Sequence, residues 1–331
     1  MNTINLSSQD LLWMVLEGFA VLIIVLLAMP WLIRVLHRLK FGQTEREEGL
    51  ASHKKKTGTP TMGGLAFIIV PLVVYTLCSL FSPFKMDNNT LIIWISFVGY
   101  GLIGFLDDYI IAVKKDNTGL KPAIKFAMQS ILAILVFFLY QMHNSTDIII
   151  PGTGLTVNLG WFYFLVVFFM FTGTTNAVNL SDGVDGLCAG LSAIALVPFF
   201  IFALWQQMFD VAAICFLIFM ALLGYLRYNV HPAKVFMGDT GSLALGGLLA
   251  ALAMVLKQEL TLIVIGGVFV AEILSVIIQV TYYKRTHKRI FLMSPVHHHF
   301  EKKGWSEWKV DTVFWAFGAL FALIGLWLGG M

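Results

Sequence analysis

The chain has 331 residues, of which 58% are hydrophobic and 12% are charged, and its mean hydropathy is +0.83. Soluble domains carry about 25% charged residues, so this composition excludes an ordinary soluble fold and predicts an integral membrane protein. The net charge of +3 is small, which makes the placement of the charges more informative than their sum.

Apolar runs of about 20 residues, the length that crosses a bilayer, recur from one end of the chain to the other. They predict an all-α polytopic integral membrane protein that forms a single domain over residues 1–331, with about ten transmembrane helices. The first run is interpreted as a retained helix rather than a cleaved signal, because Asp10 and Glu17 lie where a signal would carry positive charge. The predicted spans are 11–35, 61–82, 91–112, 122–141, 160–177, 186–204, 209–226, 240–256, 260–283 and 310–329.

Lysine and arginine residues are concentrated at alternate loops, which predicts the orientation of the helices. If the N-terminus lies outside, all of the 22 lysine and arginine residues except Lys85 and Lys257 fall at or beside inward-facing loops. The positive-inside rule therefore predicts N-out and C-out termini with five cytoplasmic loops. On the outer side, the segment DIIIPGTGLTVNLG has two β-rich runs around a Pro-Gly turn, which predicts a small hairpin.

Polar residues that hydropathy does not explain gather in five segments at the predicted cytoplasmic ends of the spans. Polar residues with purely structural roles would be distributed over both ends of the helices, so the clustering predicts a shared site. Acidic residues close to the hydrocarbon are costly and tend to mark function. The segments are GTPTMGG (58–64), GFLDDY (104–109), NAVNLSDGVDGL (176–187), YNVHPAKVFMGDTGSL (228–243) and SPVHHHFE (294–301).

Three of these segments carry aspartates whose positions suggest different roles. Asp107 and Asp108 are neighbours and point about 100° apart on a helix. One of them can therefore face a cation or phosphate while the other stabilises the structure around it. Asp239 opens the eighth span at a predicted N-cap position, where backbone N–H groups would also suit a phosphate. Each aspartate taken singly could equally be a helix cap or a surface ion pair, and only their common location favours a site.

The segment that joins the fifth and sixth spans repeats a polar residue at every third position. Asn179, Asp182 and Asp185 would share one face if this segment is helical, and Gly183 and Gly186 allow close backbone approach. An oxygen-rich cluster of this kind suits Mg²⁺ bound partly through substrate phosphates. Five lysines nearby could neutralise the remaining phosphate charge: Lys54, Lys55, Lys56, Lys121 and Lys125.

Three adjacent histidines, at positions 297–299, are followed by a further cytoplasmic stretch and a complete span, so they are no terminal tag. They lack the HExxH spacing of a metalloprotease. Because Mg²⁺ prefers oxygen ligands, these imidazoles are predicted to donate hydrogen bonds to phosphate or nucleotide oxygens. No spacing signal marks the other histidines, which are interpreted as surface or loop residues: His37, His53, His143, His231 and His287.

The ninth span carries two polar residues, Glu272 and Gln279, after a pair of glycines, Gly266 and Gly267. One interpretation is a kinked helix that lines a substrate groove, and the other is a hydrogen-bonded pair in the protein interior. The sequence leaves both open.

Together these segments resemble a known family. The strings SHKKKTGTPTMGG, GFLDDY, NAVNLSDGVDGL, VFMGDTGSL and PVHHHFE are similar, in the same order and over essentially the whole chain, to those of bacterial phospho-N-acetylmuramoyl-pentapeptide transferases (MraY type). The aspartate motifs are shared by the wider polyprenyl-phosphate hexosamine-1-phosphate transferase superfamily. The PTMGG and triple-histidine strings are typical of the muramoyl-pentapeptide branch.

The resemblance implies a reaction, its substrates and its place in the cell. The enzyme would transfer phospho-MurNAc-pentapeptide from UDP-MurNAc-pentapeptide to undecaprenyl phosphate, giving lipid I and UMP, with Mg²⁺ required. It would lie in the bacterial plasma membrane, embedded in the lipid bilayer, with its active site at the cytoplasmic face. No nucleic acid partner is expected, and a homodimer is a family-based expectation.

The resemblance also implies roles for individual residues. Asp239 would be the main Mg²⁺ ligand, while Asp107 and Asp108 would bind the lipid phosphate or the metal, with Asp107 as the candidate base. His298 is counted with the catalytic groups. The nucleotide end of the donor would be lined by Asn179, Asp182, Asp185 and Asn229, with Phe236 stacked on uracil. The diphosphate and sugar would be surrounded by Lys56, Thr61, Lys125, Gln279, Ser294, His297, His298 and His299.

Two mechanisms and two other functions stay open at this point. The lipid phosphate could attack the β-phosphorus in line, or the reaction could pass through an aspartyl-phosphate. A sibling transferase that uses UDP-N-acetylglucosamine is the first alternative function. An ion-coupled transporter with Glu272 in a relay is the second, although a transporter should place its polar residues near the bilayer midplane.

Overall fold

The computed structural model describes residues 6–39, 58–114 and 119–331. Its elements are twelve α-helices, one two-stranded sheet and a short 3-10 helix at Gly160–Phe162. The helices and strands follow in order along the chain. They are α1 (Ser8–Arg38), α2 (Gly64–Cys78), α3 (Asn88–Lys114), α4 (Pro122–Gln141), β1 (Asp147–Ile150), β2 (Leu155–Asn158), α5 (Tyr163–Leu180), α6 (Leu187–Trp205), α7 (Phe209–Asn229), α8 (Gly238–Val255), α9 (Glu259–Ile265), α10 (Gly267–Thr286), α11 (Val296–Lys302) and α12 (Glu307–Gly329).

Nine helices among the described residues are long and apolar enough to cross a membrane. The mostly helical, multi-span prediction is therefore confirmed, and the prediction of about ten spans compares with nine candidate spans and one shorter apolar helix, α2, among the described residues. The predicted second span, 61–82, contains α2, whose 15 residues extend about 22 Å at 1.5 Å per residue. The predicted ninth span is divided at Gly266 into the short α9 and the longer α10. The N-out, C-out orientation stays a prediction.

The predicted hairpin is confirmed as an antiparallel pair of β1 and β2, in which Asp147 is opposite Asn158. The Asn158 side chain donates a hydrogen bond of 2.6 Å to Asp147 Oδ1. Lys257, in the turn between α8 and α9, donates to the carbonyl oxygens of Ser145 and Asp147. The hairpin is thereby fastened to the helices at the end of α4 opposite Lys125.

Helix α8 lies at the centre of the bundle, and every residue from Thr240 to Val255 is buried. Its sequence is rich in glycine and alanine, which let helix backbones approach each other closely in membranes. A Cβ atom added at Gly104 of α3 would clash with the backbone oxygen of Asp239, and one at Gly64 of α2 would clash with the Gly241 backbone. On α8 itself, a Cβ at Gly246 would lie 2.5 Å from Thr175 Cα of α5.

Candidate active site

The N-terminus of α8 is held by an aspartate from another helix. Asp108, on α3, accepts the Asp239 N–H at Oδ1 (3.1 Å) and both the N–H (2.9 Å) and hydroxyl (2.6 Å) of Thr240 at Oδ2. The prediction that Asp239 is the N-cap is wrong, because α8 begins at Gly238 and Asp239 lies in its first turn. Asp108 instead satisfies the N–H groups that a helix start leaves unpaired.

Asp107 and Asp239 face one lysine at the same end of the bundle. The Lys125 ammonium, on α4, contacts Asp239 Oδ2 and lies 3.4 Å from Asp107 Oδ2. The other oxygen of Asp107 accepts the Leu120 N–H at 2.6 Å, and Asn179 donates to Asp239 Oδ1 at 2.8 Å. The Asp239 side chain is 26% exposed and that of Asp107 is 9% exposed, so the Asp239 carboxylate is the more accessible of the two to a ligand.

The donor atoms of this cluster fit a hard divalent cation. Two carboxylate oxygens, one each from Asp107 and Asp239, converge on a single positive charge. Mg²⁺ is usually bound by one or two carboxylates together with substrate phosphates. The oxygens of Asp108 already accept three hydrogen bonds from α8, which leaves Asp239 and Asp107 as the pair best placed to hold such an ion.

A second polar group lies beyond the end of α5. His231 Nδ1 is 3.1 Å from Asp185 Oδ2 and 3.5 Å from Glu307 Oε2. One ligand atom from each of these three residues lies within 4.8 Å of the others, so the group could hold a metal ion. His231 and Glu307 carried no signal in the sequence, because 231 and 307 are distant from 185 along the chain and only the fold brings them together.

The polar residues at 179, 182 and 185 do not share one face. Helix α5 ends at Leu180 and residues 181–186 form a turn, so the condition for a common face is not met. Asn179 reaches Asp239, whereas Asp185 reaches His231 and accepts the Ala233 N–H at 2.9 Å.

Asn229 and the PTMGG segment connect the loops around this turn. Asn229 accepts the Gly186 N–H at 3.1 Å and donates to the Val235 carbonyl at 3.0 Å, and it is 2% exposed. Phe236 donates its N–H to the Pro60 carbonyl at 2.8 Å and accepts the Gly63 N–H at 2.8 Å. The segment beginning at Pro60 is thereby held beside the entry to α8.

Thr61 lies against the glycine that opens α8. A Cβ added at Gly238 would lie 2.5 Å from Thr61 Oγ1 and would clash with Asp108 Oδ2, and the φ angle of Gly238 is +70°. Both the space and the backbone conformation therefore favour glycine at this position. Lys56, Lys54 and Lys55 lie outside the described residues.

The three adjacent histidines have three different partners. His297 is fully buried, with Nδ1 3.1 Å from Glu272 Oε1. His298 Nδ1 lies 2.7 Å from Glu301 Oε2, and His299 Nδ1 accepts the Leu292 N–H at 3.0 Å. Burial, with the positive charge of nearby Lys303, lowers the pKa of His299, which suits an imidazole that accepts a hydrogen bond. His297 and His299 thereby connect α11 to α10 and to the loop before it, whereas the His298–Glu301 contact lies within α11.

Gln279 fixes the loop that leads to these histidines. Its side-chain oxygen accepts the N–H groups of Ile290 and Phe291 at 3.0 Å each, and its amide donates to the Phe291 carbonyl at 3.1 Å. Ser294 lies further along the same loop. The kinked-helix interpretation matches the break at Gly266, while Glu272 and Gln279 bind separate partners rather than each other.

Comparison with known proteins places the chain in a family. The profile described as Glycosyl transferase family 4 matches residues 90–257, which contain all three aspartates of the cluster at α8. A phospho-N-acetylmuramoyl-pentapeptide-transferase of Bacillus subtilis (strain 168) is 51% identical over 97% of this chain and 98% of its own length. The transferase of the same name from Bacillus mycoides (strain KBAB4) is 52% identical over 96% of this chain and 97% of its own.

The chain belongs to the phospho-N-acetylmuramoyl-pentapeptide-transferase family. The resemblance found in the motifs is therefore confirmed, and the chain is a multi-pass membrane transferase of peptidoglycan synthesis. The family match also covers Asn179 and Lys125, so the residues that meet around Asp239 all lie within the shared region.

Asp108→Asn tests the role of Asp108 as the support of α8. The amide would place an N–H₂ group where a carboxylate oxygen now accepts from Thr240, so we expect the free energy of unfolding to fall by about 1–3 kcal/mol. Thermal unfolding in detergent would measure this, with Asp107→Asn as the matched variant, which should unfold closer to wild type. An unchanged unfolding temperature in Asp108→Asn would contradict the supporting role.

Proposed function

We propose that this chain transfers phospho-MurNAc-pentapeptide from UDP-MurNAc-pentapeptide to undecaprenyl phosphate, releasing UMP and giving lipid I. The observation that carries the proposal is the convergence of Asp107, Asp239 and Lys125 at the N-terminus of α8, in a chain whose relatives of nearly equal length bear the name of this transferase.

An apolar cavity along α5 supports a lipid acceptor. It has a volume of about 470 Å³ and lies between α5 and the α9–α10 pair. It extends along α5 from Leu165 to Ala177, roughly 18 Å at 1.5 Å per residue, and Ala177 is two residues before Asn179. A prenyl chain in this cavity would bring its phosphate toward the aspartates. Its lining includes Leu165, Phe169, Met170, Ile263, Phe269 and Val270.

The proposed reaction is a phosphoryl transfer between two phosphates. An oxygen of the lipid phosphate forms a bond to the β-phosphorus of the donor, while the bond from that phosphorus to the bridging oxygen breaks and UMP leaves. When bound, Mg²⁺ supplies positive charge that stabilises the phosphate oxygens, and Asp239 and Asp107 are the residues that would hold it. Lys125, between the two carboxylates, would offset further negative charge on the phosphates.

The individual aspartates take separate parts in this proposal. Asp107, whose Oδ2 faces Lys125, is the candidate base for the acceptor phosphate. Asp108 holds the start of α8, and with it the backbone of Asp239, in position. Asp185, in the turn after α5, and Asn229, at the end of α7, would contribute to the nucleotide end.

The site is proposed to face the cytoplasm. The cluster is built from the C-terminal ends of α3 and α5 and the N-terminal ends of α4 and α8, which lie at one end of the bundle. The loops at that end carry nearly all lysine and arginine residues, and cytoplasmic loops are rich in these residues. A soluble nucleotide donor could then enter from the water while the acceptor stays in the membrane.

The test of this function is UMP release by the purified protein. With UDP-MurNAc-pentapeptide, undecaprenyl phosphate and Mg²⁺, we expect UMP and a lipid-linked product, and we expect EDTA to abolish the release and added Mg²⁺ to restore it. UDP-N-acetylglucosamine as donor serves as the control and should give no UMP. Release from UDP-N-acetylglucosamine but none from the muramoyl donor would assign the chain to the sibling reaction.

A further inference from the structure

Glu272 and His297 form a polar pair with no access to solvent. The side chains of both residues are 0% exposed, and Glu272 Oε1 lies 3.1 Å from His297 Nδ1. This is an ion-pair distance, although the two groups lack the alignment of a hydrogen bond, and in the described part of the chain neither has a hydrogen-bond partner. An isolated buried carboxylate is costly, and ionisable groups within membrane helices tend to serve function.

The other side of the His297 ring rests on the turn at residues 181–186. A Cβ atom added at Gly183 would clash with His297 Nε2 and would lie 3.0 Å from His297 Cε1 and 3.3 Å from His298 Cε1. The imidazole therefore packs directly on the backbone of the turn. The Glu272 carboxylate lies on the Nδ1 side of the ring, while Nε2 and Cε1 face Gly183, so the ring lies between the carboxylate and the turn.

The same turn is also held by residues of α7 and α12. The Gly186 N–H donates to Asn229, and the Asp185 N–H donates to Glu307 Oε2 at 3.3 Å. Gly183 follows Asp182 directly and precedes Asp185 by two residues. The turn thus contacts Asn229 and Glu307 at residues 185–186 and the His297 ring at Gly183, and the ring in turn lies beside Glu272.

We propose that Glu272 is a positioning residue for donor binding: it fixes the His297 ring, and the ring fixes the turn that carries Asp182 and Asp185. This inference rests on the proposed function, in which that turn binds the nucleotide end of the donor. Glu272 itself does not touch substrate. Its loss should therefore weaken recognition of the nucleotide donor and leave recognition of the lipid acceptor nearly unchanged.

The test compares Glu272→Ala with Glu272→Gln in steady-state UMP release. Alanine removes the carboxylate that lies 3.1 Å from His297 Nδ1 and frees the ring to move, so we expect the donor KM to rise roughly tenfold or more, with much smaller changes in kcat and in the KM for undecaprenyl phosphate. Glutamine keeps an oxygen that can accept from Nδ1 and should restore a donor KM close to wild type. Glu17→Ala, which removes a carboxyl of similar burial on α1, is the matched control and should leave the donor KM unchanged.

Gly183→Ala tests the same contact without altering α10. The added methyl group must displace the His297 ring or the turn, so we expect the same rise in donor KM. In the double variant with His297→Ala the clash is removed, and the donor KM should be no higher than in His297→Ala alone.

The outcomes separate the inference from the function on which it rests. No UMP release by the wild-type protein with the muramoyl donor would overturn the proposed function. Normal wild-type turnover, together with an unchanged donor KM in both Glu272→Ala and Gly183→Ala, would overturn the positioning role alone. Equal increases in the donor and acceptor KM values, or a loss of folded protein with unchanged constants, would assign Glu272 to structure and overturn it as well.

Discussion

Asp239→Asn is expected to reduce the turnover of UMP release by roughly a hundredfold or more, the scale of losing one electrostatic contact to a reacting phosphate. The asparagine retains an oxygen that can accept from Asn179, so the fold around α8 should persist. It removes the negative charge that faces Lys125 and would hold a divalent cation. The measurement is turnover at saturating donor and acceptor, alongside thermal unfolding to confirm that the variant is folded.

The matched control is Asp147→Asn in the hairpin, at the end of the bundle opposite the cluster. This change removes a charge from an aspartate that accepts a hydrogen bond from Asn158, and turnover should stay near wild type. Near-normal turnover in Asp239→Asn would remove Asp239 from the reaction and direct attention to the group formed by Asp185, His231 and Glu307.

Gly104→Ala should disable the enzyme without changing any polar group. The new methyl group would meet the backbone of Asp239 and Thr240, and a backbone atom cannot rotate away as a side-chain end can. Helices α3 and α8 must separate, which we expect to cost about 1–3 kcal/mol of stability. The separation would also pull Asp107 and Asp108 away from α8, so turnover should fall at least tenfold.

Gly99→Ala on the same helix provides the comparison. A Cβ there would meet only the end of the Leu132 side chain, with Cδ2 at 2.7 Å, which can move aside. Turnover and unfolding temperature should therefore stay close to wild type. If Gly104→Ala proved equally harmless, the close approach of α3 and α8 would not be needed for the site.

Hydropathy predicts the membrane helices well because it measures the length of apolar runs. It could not show the interruption at Gly266, since the residues on both sides of the break are apolar and the run is continuous. It also overestimated the second span, where the chain around Thr61 and Met62 is loop that pairs with residues 236–237 instead of helix. Backbone geometry, rather than composition, decides these boundaries.

The sequence located the aspartate cluster but not the pairing of its members. The clustering of Asp107, Asp108 and Asp239 at one end of the helices was readable from motif position alone. That Asp108 would serve α8 while Asp107 faces Lys125 depends on the rotation of α3, which spacing does not reveal. The contact between Glu272 and His297 joins α10 to α11, and no periodicity in the sequence predicts it.

The glycine contacts around α8 have a consequence for how the protein can work. A carrier that alternates between two faces moves one bundle of helices against another. The backbones of α2 and α3 touch α8 near Asp239, and that of α5 touches it at Gly246, which leaves little room for a rocking or sliding movement between these helices. Close backbone contact of this kind suits an enzyme whose aspartates keep their positions while the two substrates come to them.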